Sequence, residues 1–131
     1  MYKEMISPRF FETDALGHIN NTVVPVWFEK AREPVFRLFT PDLDIKKWKL
    51  IIARISVDFL GEIFYGEDVE VRTGLAKIGN SSMTVRQEVW QGGKCQARGD
   101  AALIHYDYST SSSVPIPDEI RSQLEQHIIG E

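Results

Sequence analysis

Four long segments with a period of two follow a single segment with a helical period, and this succession most constrains the fold. The helical segment covers residues 22–39, and the period-two segments cover residues 50–60, 68–78, 82–91 and 94–107. Side chains alternate between two faces in a strand, whereas a helix repeats its faces every 3.6 residues. We therefore expect an antiparallel sheet packed on one helix, which is an α+β arrangement.

Two residue pairs that contain glycine separate the last three period-two segments and predict tight hairpins. They are Gly79-Asn80 and Gly92-Gly93. Two-residue hairpin turns need positive φ, which glycine and asparagine adopt most easily. Residues 3–10 are expected to add a short first strand, so the sheet has five strands. In residues 50–60 apolar and polar positions alternate, which predicts a half-buried strand.

The helical segment carries an apolar stripe made of Val24, Trp27, Phe28, Ala31, Val35, Leu38 and Phe39. Because apolar positions lie on more than one side, we expect the sheet to wrap around one long central helix. Asn21 or Thr22 can serve as the N-cap. Pro34 has no backbone N–H, so we expect a kink or a break there.

Residues 1–131 are expected to form a single domain with three parts. The core covers residues 1–108, and residues 109–117 form a linker rich in serine and proline. Residues 118–131 are predicted to form a C-terminal helix. Its apolar stripe would consist of residues four apart, which are Ile120, Leu124 and Ile128.

Composition narrows the classes of function. The chain has a net charge of −4, so no nucleic acid partner is expected. It lacks both the apolar core of a signal peptide and an uninterrupted apolar run of about 20 residues, so no membrane partner is expected. Cys95 is the single cysteine and cannot form an internal disulfide, which favours a reducing, cytoplasmic location. Three scattered histidines and one cysteine lack ligand spacing, so no metal site is predicted.

The polar block from Glu12 to Asn21 stands directly before the helical segment. Backbone N–H groups in the first turn of a helix have no intrahelical partner and lie at the positive end of the helix dipole. An oxyanion can be held there. The junction between this loop and the helix is therefore the candidate site.

Within the block, Asp14 is the main candidate for chemistry, although aspartate is also common as a turn residue before helices. A carboxylate can attack a carbonyl directly or take a proton from water. His18 can orient a substrate or donate to an oxyanion, or it can simply hold the loop. Asn20 and Asn21 are interpreted as positioning residues. Gly17 is expected to permit a tight turn and close approach of a substrate.

These residues resemble a known family. The pattern Asp14-x-x-Gly17-His18-x-Asn20-Asn21, followed by Glu29-x-Ala31-Arg32, is similar to the hotdog-fold acyl-CoA thioesterases of the 4-hydroxybenzoyl-CoA thioesterase type. Their bacterial acyl-CoA thioester hydrolase branch is the nearest in pattern. The run Ile78-Gly79-Asn80-Ser81-Ser82 resembles the turn into that family's fourth strand. The resemblance covers residues 3–107 and implies the hotdog fold, with a five-stranded antiparallel sheet around the helix.

The resemblance also implies an activity, namely hydrolysis of an acyl-CoA to a free acid and coenzyme A. Asp14 would act as nucleophile or general base and His18 would assist, while backbone N–H groups near Val23 and Val24 polarise the carbonyl. Ser82 would contact the substrate or merely begin a strand, and we favour the strand. No cofactor is implied beyond the coenzyme A of the substrate. A homodimer or homotetramer with sites at the subunit interface is expected.

Two alternatives stay open. A hotdog hydratase or dehydratase acting on an enoyl thioester also needs an acid and a histidine near a helix. A non-catalytic acyl-CoA-binding protein would keep the pocket without turnover. Several basic residues could meet the coenzyme A phosphates, and none is singled out: Lys46, Lys47, Lys49, Arg54, Arg72, Lys77, Arg86 and Arg98.

Overall fold

A computed structural model describes residues 1–129. One antiparallel sheet carries three helices on its surface and at its end. The strands are β1 (Tyr2–Ile6), β2 (Leu50–Phe59), β3 (Val69–Ile78), β4 (Ser82–Gln91), β5 (Lys94–Asp107) and β6 (Ser112–Ser113). The helices are α1 (Val23–Ala31), α2 (Glu33–Phe39) and α3 (Asp118–Glu125). The strand order is β1-β3-β4-β5-β2, and the short β6 pairs with β5 as a sixth strand in the predicted linker.

The four long strands fall within one residue of their predicted bounds, whereas the first strand, predicted over residues 3–10, ends at Ile6. One of the two hairpins closes as predicted. Gly92 and Gly93 have φ of 59° and 77° between β4 and β5, which confirms a turn with positive φ. The other hairpin differs. Gly79 has no positive φ, and its N–H donates to the Ser82 carbonyl at 2.7 Å. Glycine therefore supplies conformational freedom at only one of the two turns.

The prediction of one long central helix is wrong, whereas the expected break is confirmed. Arg32 separates α1 from α2, and its N–H donates to the carbonyls of Phe28 and Glu29. Pro34 lies in the first turn of α2 and has no N–H to continue the ladder toward Lys30. The first turn of a helix is the place where proline costs least, so the chain restarts a helix there.

The predicted apolar stripe is buried, and it packs into two clusters. The site-end core lies under α1 and contains Ile19, Val24, Trp27, Phe28, Ala31, Ile63, Val69, Val71, Val89 and Ala97. The α3-end core lies under α2 and α3 and contains Val35, Phe39, Leu50, Leu75, Met83, Val85, Leu103, Ile116 and Leu124.

A polar layer made of Arg32, Gln87 and Thr73 separates the two cores. The Gln87 amide donates to the Phe28 carbonyl at 2.8 Å and to Thr73 Oγ1 at 3.1 Å, and its oxygen accepts from Arg32 Nη1 at 3.1 Å. Burial lowers the pKa of Arg32, and the charge of Glu29 partly opposes that shift. Arg32 therefore belongs to the interior, where it bonds Gln87.

Strand β2 is not half-buried as predicted. It lies at the end of the strand order, and most of its side chains are exposed, including Ile51, Ile52, Ile55 and Phe59. Its register with β5 shifts between Ile52 and Arg54, which interrupts the alternation at a bulge. Period-two alternation predicted the strand correctly, but it carries no information about what lies against each face.

The C-terminal helix is shorter than predicted and ends at Glu125. Leu124 is buried as expected, but Ile128 forms a bridge with Leu75 instead of extending the helical stripe. Leu75 N–H donates to the His127 carbonyl at 2.9 Å, and its carbonyl accepts from Ile129 N–H at 3.0 Å. Because β1 pairs only with residues 69–73 of β3, the following part of that edge is open, and the chain after the helix pairs with it there. Predicted helical residues 130 and 131 lie outside the described residues.

Candidate active site

The loop before α1 is a small closed structure that presents Asp14 and His18 together. Asp14 N–H donates to the His18 carbonyl at 2.7 Å, and Thr13 pairs with Ile19 as an isolated bridge. Gly17 lies between them with φ of 85°, a value that side-chain-bearing residues rarely adopt. The glycine predicted to permit a tight turn therefore lies in one.

Asp14 uses its two carboxylate oxygens differently. Oδ1 accepts hydrogen bonds from the backbone N–H groups of Leu16 at 2.7 Å and His18 at 3.1 Å. Within residues 1–129, the partner of Oδ2 is His18 Nδ1, at 3.9 Å. One oxygen thus holds the turn, as expected of an aspartate before a helix, while the other faces His18.

His18 lies between two carboxylates. Its Nε2 is 3.2 Å from Oε2 of Glu62, on the segment after β2, and its Nδ1 faces Asp14. The ring also meets Phe64 edge to face, with 5.1 Å between centroids. The sequence did not single out Glu62, because it stands far along the chain from His18 and no local pattern relates them.

The start of α1 supplies fewer free donors than predicted. Thr22 is the N-cap by position, but Asn20 Oδ1 accepts from its N–H and its hydroxyl, each at 3.1 Å. Val23 N–H donates to the Asn20 carbonyl at 3.0 Å and is therefore not available to a substrate. No acceptor within residues 1–129 takes the Val24 N–H, and Pro25 has none to offer. Val24 N–H is thus a backbone donor that remains available at the start of α1.

A cleft of about 530 Å³ opens at this junction. Of the predicted residues it brings together Asp14, His18, Asn20, Asn21 and Val24, while Gly17 and Val23 lie outside the lining. The remaining lining comes from Ile19, from Phe59 at the end of β2, and from Gly61, Glu62 and Ile63 after it. The sequence did not single out these last three residues.

Ser82 does not belong to this cleft. It is the first residue of β4 and pairs with Ile104, at the end of the strand away from the site-end core. Nearby, Arg121 of α3 donates to the carbonyls of Gly79 and Asn80. Ser82 begins a strand, as we favoured, and its role as a substrate contact stays a prediction.

A buried carboxylate anchors the loop to α1. Glu12 Oε2 accepts from the indole N–H of Trp27 at 3.0 Å, and Oε1 accepts from Arg9 N–H at 2.7 Å. The Glu12 carbonyl accepts from Asn20 N–H at 2.8 Å. These bonds fix the entry and the exit of the loop against the helix. Glu12 was visible in the polar block, but only the fold reveals its partner.

Basic side chains and metal ligands are not gathered at the cleft. None of the eight basic residues considered for phosphate binding lines it. Two of them pair across strands, Arg86 with Asp100 and Arg98 with Glu88. Among residues 1–129, no group of three or more His, Cys, Asp or Glu side chains is arranged to hold a metal ion. The helices found over the same range are all too short or too polar to cross a bilayer.

Comparison with known proteins shows the family of this chain. The profile of the thioesterase-like superfamily matches residues 8–124. The structure of a predicted thioesterase from Bacillus stearothermophilus superposes with a TM-score of 0.95 at 45% identity, covering 99% of this chain and 98% of that one. A Thermus thermophilus thioesterase complexed with coenzyme A and Zn superposes with a TM-score of 0.82 at 30% identity, covering 93% and 95%.

A curated relative of unassigned function, YsmA of Bacillus subtilis, is 26% identical over 121 residues, which are 91% of this chain and 82% of that protein. The chain belongs to the thioesterase-like superfamily. Within that family it is a thioester hydrolase, with a carboxylate and an imidazole in its cleft.

Proposed function

We propose that this enzyme hydrolyses an acyl-CoA thioester to a free acid and coenzyme A. The observation that carries the proposal is the Asp14 carboxylate, whose Oδ1 is held by two backbone N–H groups while Oδ2 faces His18 at the cleft. Hydrolysis needs an oxygen nucleophile, and a carboxylate held in this way can attack or can deprotonate water. The coenzyme A complex of the Thermus thermophilus relative supports the choice of thiol.

In the proposed reaction, the thioester carbonyl oxygen is directed to the Val24 N–H at the positive end of α1. Asp14 attacks the carbonyl carbon or takes a proton from an attacking water, and His18 orients the thioester. The carbon–sulfur bond then breaks and coenzyme A leaves as the thiolate. On the nucleophilic route, water then hydrolyses the acyl-aspartyl anhydride, which releases the acid and restores the Asp14 carboxylate. The proposed chemistry uses no metal or redox cofactor, since a carboxylate and a helix N-terminus supply both the attack and the charge stabilisation.

We also propose the hotdog architecture, with α1 and α2 replacing the single central helix, and an assembly of two or four copies. The supporting observation is β2, a ten-residue strand that pairs with β5 on one side, has no strand partner on its other side within residues 1–129, and exposes Ile51, Ile55 and Phe59. Such edges are covered in natural proteins, and Phe59 also lines the cleft. Pairing β2 with its copy would complete the site from both subunits. Ile55→Lys should then give monomers in sedimentation, whereas an unchanged oligomer would contradict this edge as the interface.

We infer a cytoplasmic enzyme that meets free acyl-CoA, without a nucleic acid or a membrane as partner. A thiol-release assay over short, long, branched and aryl acyl-CoAs tests the activity and finds the preferred acyl group. Asp14→Ala and Asp14→Asn should abolish release while the circular dichroism spectrum is retained. Asp118→Asn, an exposed aspartate in α3, is the matched control and should behave as wild type.

Release in the Asp14 variants at the wild-type rate would reject the assignment of Asp14. Water addition to an enoyl-CoA without thiol release would indicate a hydratase, and binding without turnover would indicate an acyl-CoA-binding protein. Borohydride reduction during turnover separates the two roles of Asp14. Only an acyl-aspartyl anhydride from the nucleophilic route would be reduced, leaving homoserine at position 14.

A further inference from the structure

The segment after β2 places an acidic residue beside the ring nitrogen of His18 that points away from Asp14. Glu62 Oε2 lies 3.2 Å from His18 Nε2, within hydrogen-bonding distance, while Nδ1 of the same ring faces Asp14 at 3.9 Å. A carboxylate only accepts hydrogen bonds, so this contact requires that Nε2 carry the proton. Nδ1 of the neutral ring then presents its lone pair toward the Asp14 side of the cleft.

Backbone contacts, and not the reach of a flexible side chain, bring Glu62 to this place. Ile19 N–H donates to the Ile63 carbonyl at 2.7 Å, and Tyr65 N–H donates to the Gly17 carbonyl at 3.2 Å. His18 itself pairs with Phe64 as an isolated bridge. The loop bearing His18 and the segment bearing Glu62 therefore run side by side, joined on both sides of the ring.

The body of the protein holds the same segment at both ends. At its start, Leu60 and Gly61 donate their N–H groups to the Gln96 carbonyl at 2.9 and 3.1 Å. Further along, the buried Gln91 side chain accepts from Phe64 N–H and donates to the carbonyls of Phe64 and Glu67, all at 2.9 Å. The buried Gln91 side chain thus uses both its donor and its acceptor groups to hold this one segment. The fold therefore fixes the backbone position of Glu62.

From this geometry we propose that Glu62 is a positioning residue for His18. It accepts the Nε2 proton, fixes the tautomer and the ring orientation, and so keeps Nδ1 toward Asp14 and the substrate. In other active sites, a carboxylate that accepts a hydrogen bond from a catalytic histidine fixes the tautomer of the ring. It thereby determines which ring nitrogen is available for chemistry. The proposal rests on the proposed thioesterase reaction, in which His18 acts at the cleft.

A purely structural ion pair predicts a different outcome. The Glu62 side chain is 63% exposed, and ion pairs in water contribute little to stability. Removing Glu62 should therefore leave the melting temperature nearly unchanged. A positioning role predicts instead a loss in kcat with KM retained, because the ring matters more in the transition state than in substrate binding.

The kinetic test uses Glu62→Gln in the full chain, with Glu67→Gln as the matched control on the same segment. For the best substrate of the acyl-CoA panel, Glu62→Gln should lower kcat by roughly ten- to a hundredfold, the loss typical of removing a carboxylate that orients a histidine at a metal site. Glu67→Gln should behave as wild type. In a His18→Asn background Glu62→Gln should have no further effect, since its action passes through the ring.

Equal kcat in the two glutamine variants, or an undiminished loss in the His18→Asn background, would overturn the proposal. A second measurement is independent of turnover. Long-range proton–nitrogen spectra under mildly alkaline conditions should give the Nε2–H tautomer for His18, and Glu62→Gln should shift the ring toward a mixture. An unchanged spectrum would also overturn it. If wild type releases no thiol from any acyl-CoA, the proposed function fails, and these spectra still decide whether Glu62 sets the His18 tautomer.

Discussion

The two ends of the helical layer each contain a histidine on a loop or strand beside an apolar core, and they use it in opposite ways. At the α3 end, His105 Nδ1 donates to the carbonyls of Val114 and Pro115, at 3.1 and 3.0 Å, and the ring is buried against Phe39. At the site end, His18 is partly exposed and faces two carboxylates. Backbone carbonyls fix the His105 ring in the interior, whereas the His18 ring faces carboxylates at a cleft.

The same contrast extends to how each core is closed. Helix α3 and the segment after it cover the α3-end core, where Leu124 and Ile116 are buried. The site-end core stops at a cleft whose surroundings expose Phe10, Phe11 and Leu16. At the α3 end, the chain covers its own apolar core, which stabilises the fold. The other end is left open at the cleft, as access for a substrate requires.

Leu124→Ala should distinguish the two ends most clearly, because it should lower stability without changing kcat. Leu124 is fully buried in the α3-end core, and truncating a buried leucine costs about 2–5 kcal/mol through lost burial and a residual cavity. The free energy of unfolding from urea titration should fall by that amount, while kcat at a temperature where the variant is folded should be unchanged. A large loss in kcat of the folded variant would show that the two ends are coupled.

Mutating the two histidines should have opposite effects: one mutation should lower kcat and the other should lower stability. His18→Asn should lower kcat by about a hundredfold, the lower range for a positioned acid or base, with little change in melting temperature. His105→Asn should lower the free energy of unfolding by about 1–3 kcal/mol, because buried carbonyls lose their donor, and should keep kcat. A His105 variant with normal stability and poor turnover would erase the distinction.

Glu12→Gln tests the anchor of the site-end loop. The variant keeps the shape of the side chain but replaces a charged acceptor of the Trp27 and Arg9 N–H groups with a neutral amide. We expect a loss of about 1 kcal/mol in the free energy of unfolding. Kinetics should show a lower kcat as well, because the loop carrying Asp14 loosens. Trp27→Phe removes the indole donor and should reproduce both effects more weakly.

The smallest effect concerns pH at the α3 end. His127 contacts the N-terminal amine of Met1 at 2.8 Å, and burial together with that positive charge lowers the pKa of His127. The unfolded chain therefore binds this proton at a higher pH than the folded chain, and stability must fall as the pH drops below about 6.5. His127→Gln should flatten this part of the stability curve in urea titrations from about pH 8 to about pH 5. An identical slope in the variant would remove His127 as its cause.

Much of this molecule could be predicted from local patterns. Alternation and paired glycines located the last two strands and the turn at Gly92, and the missing N–H of Pro34 located the helix break. The polar block placed Asp14 and His18 in one loop, and they do lie in one cleft. These successes have one cause, since each concerns residues within a few positions whose conformation depends on their own chemistry.

The rest depended on which distant segments meet. Only the tertiary structure places Glu62 on His18, captures the residues after α3 on the edge of β3, and moves Ser82 away from the cleft. It also assigns β2 to the edge of the sheet, where an alternating strand is left exposed. The amino-acid sequence by itself determined the long strands, the helix break and the loop that holds Asp14 and His18. Strand order and register decided their neighbours, because a period tells which face a side chain lies on and not what packs against that face.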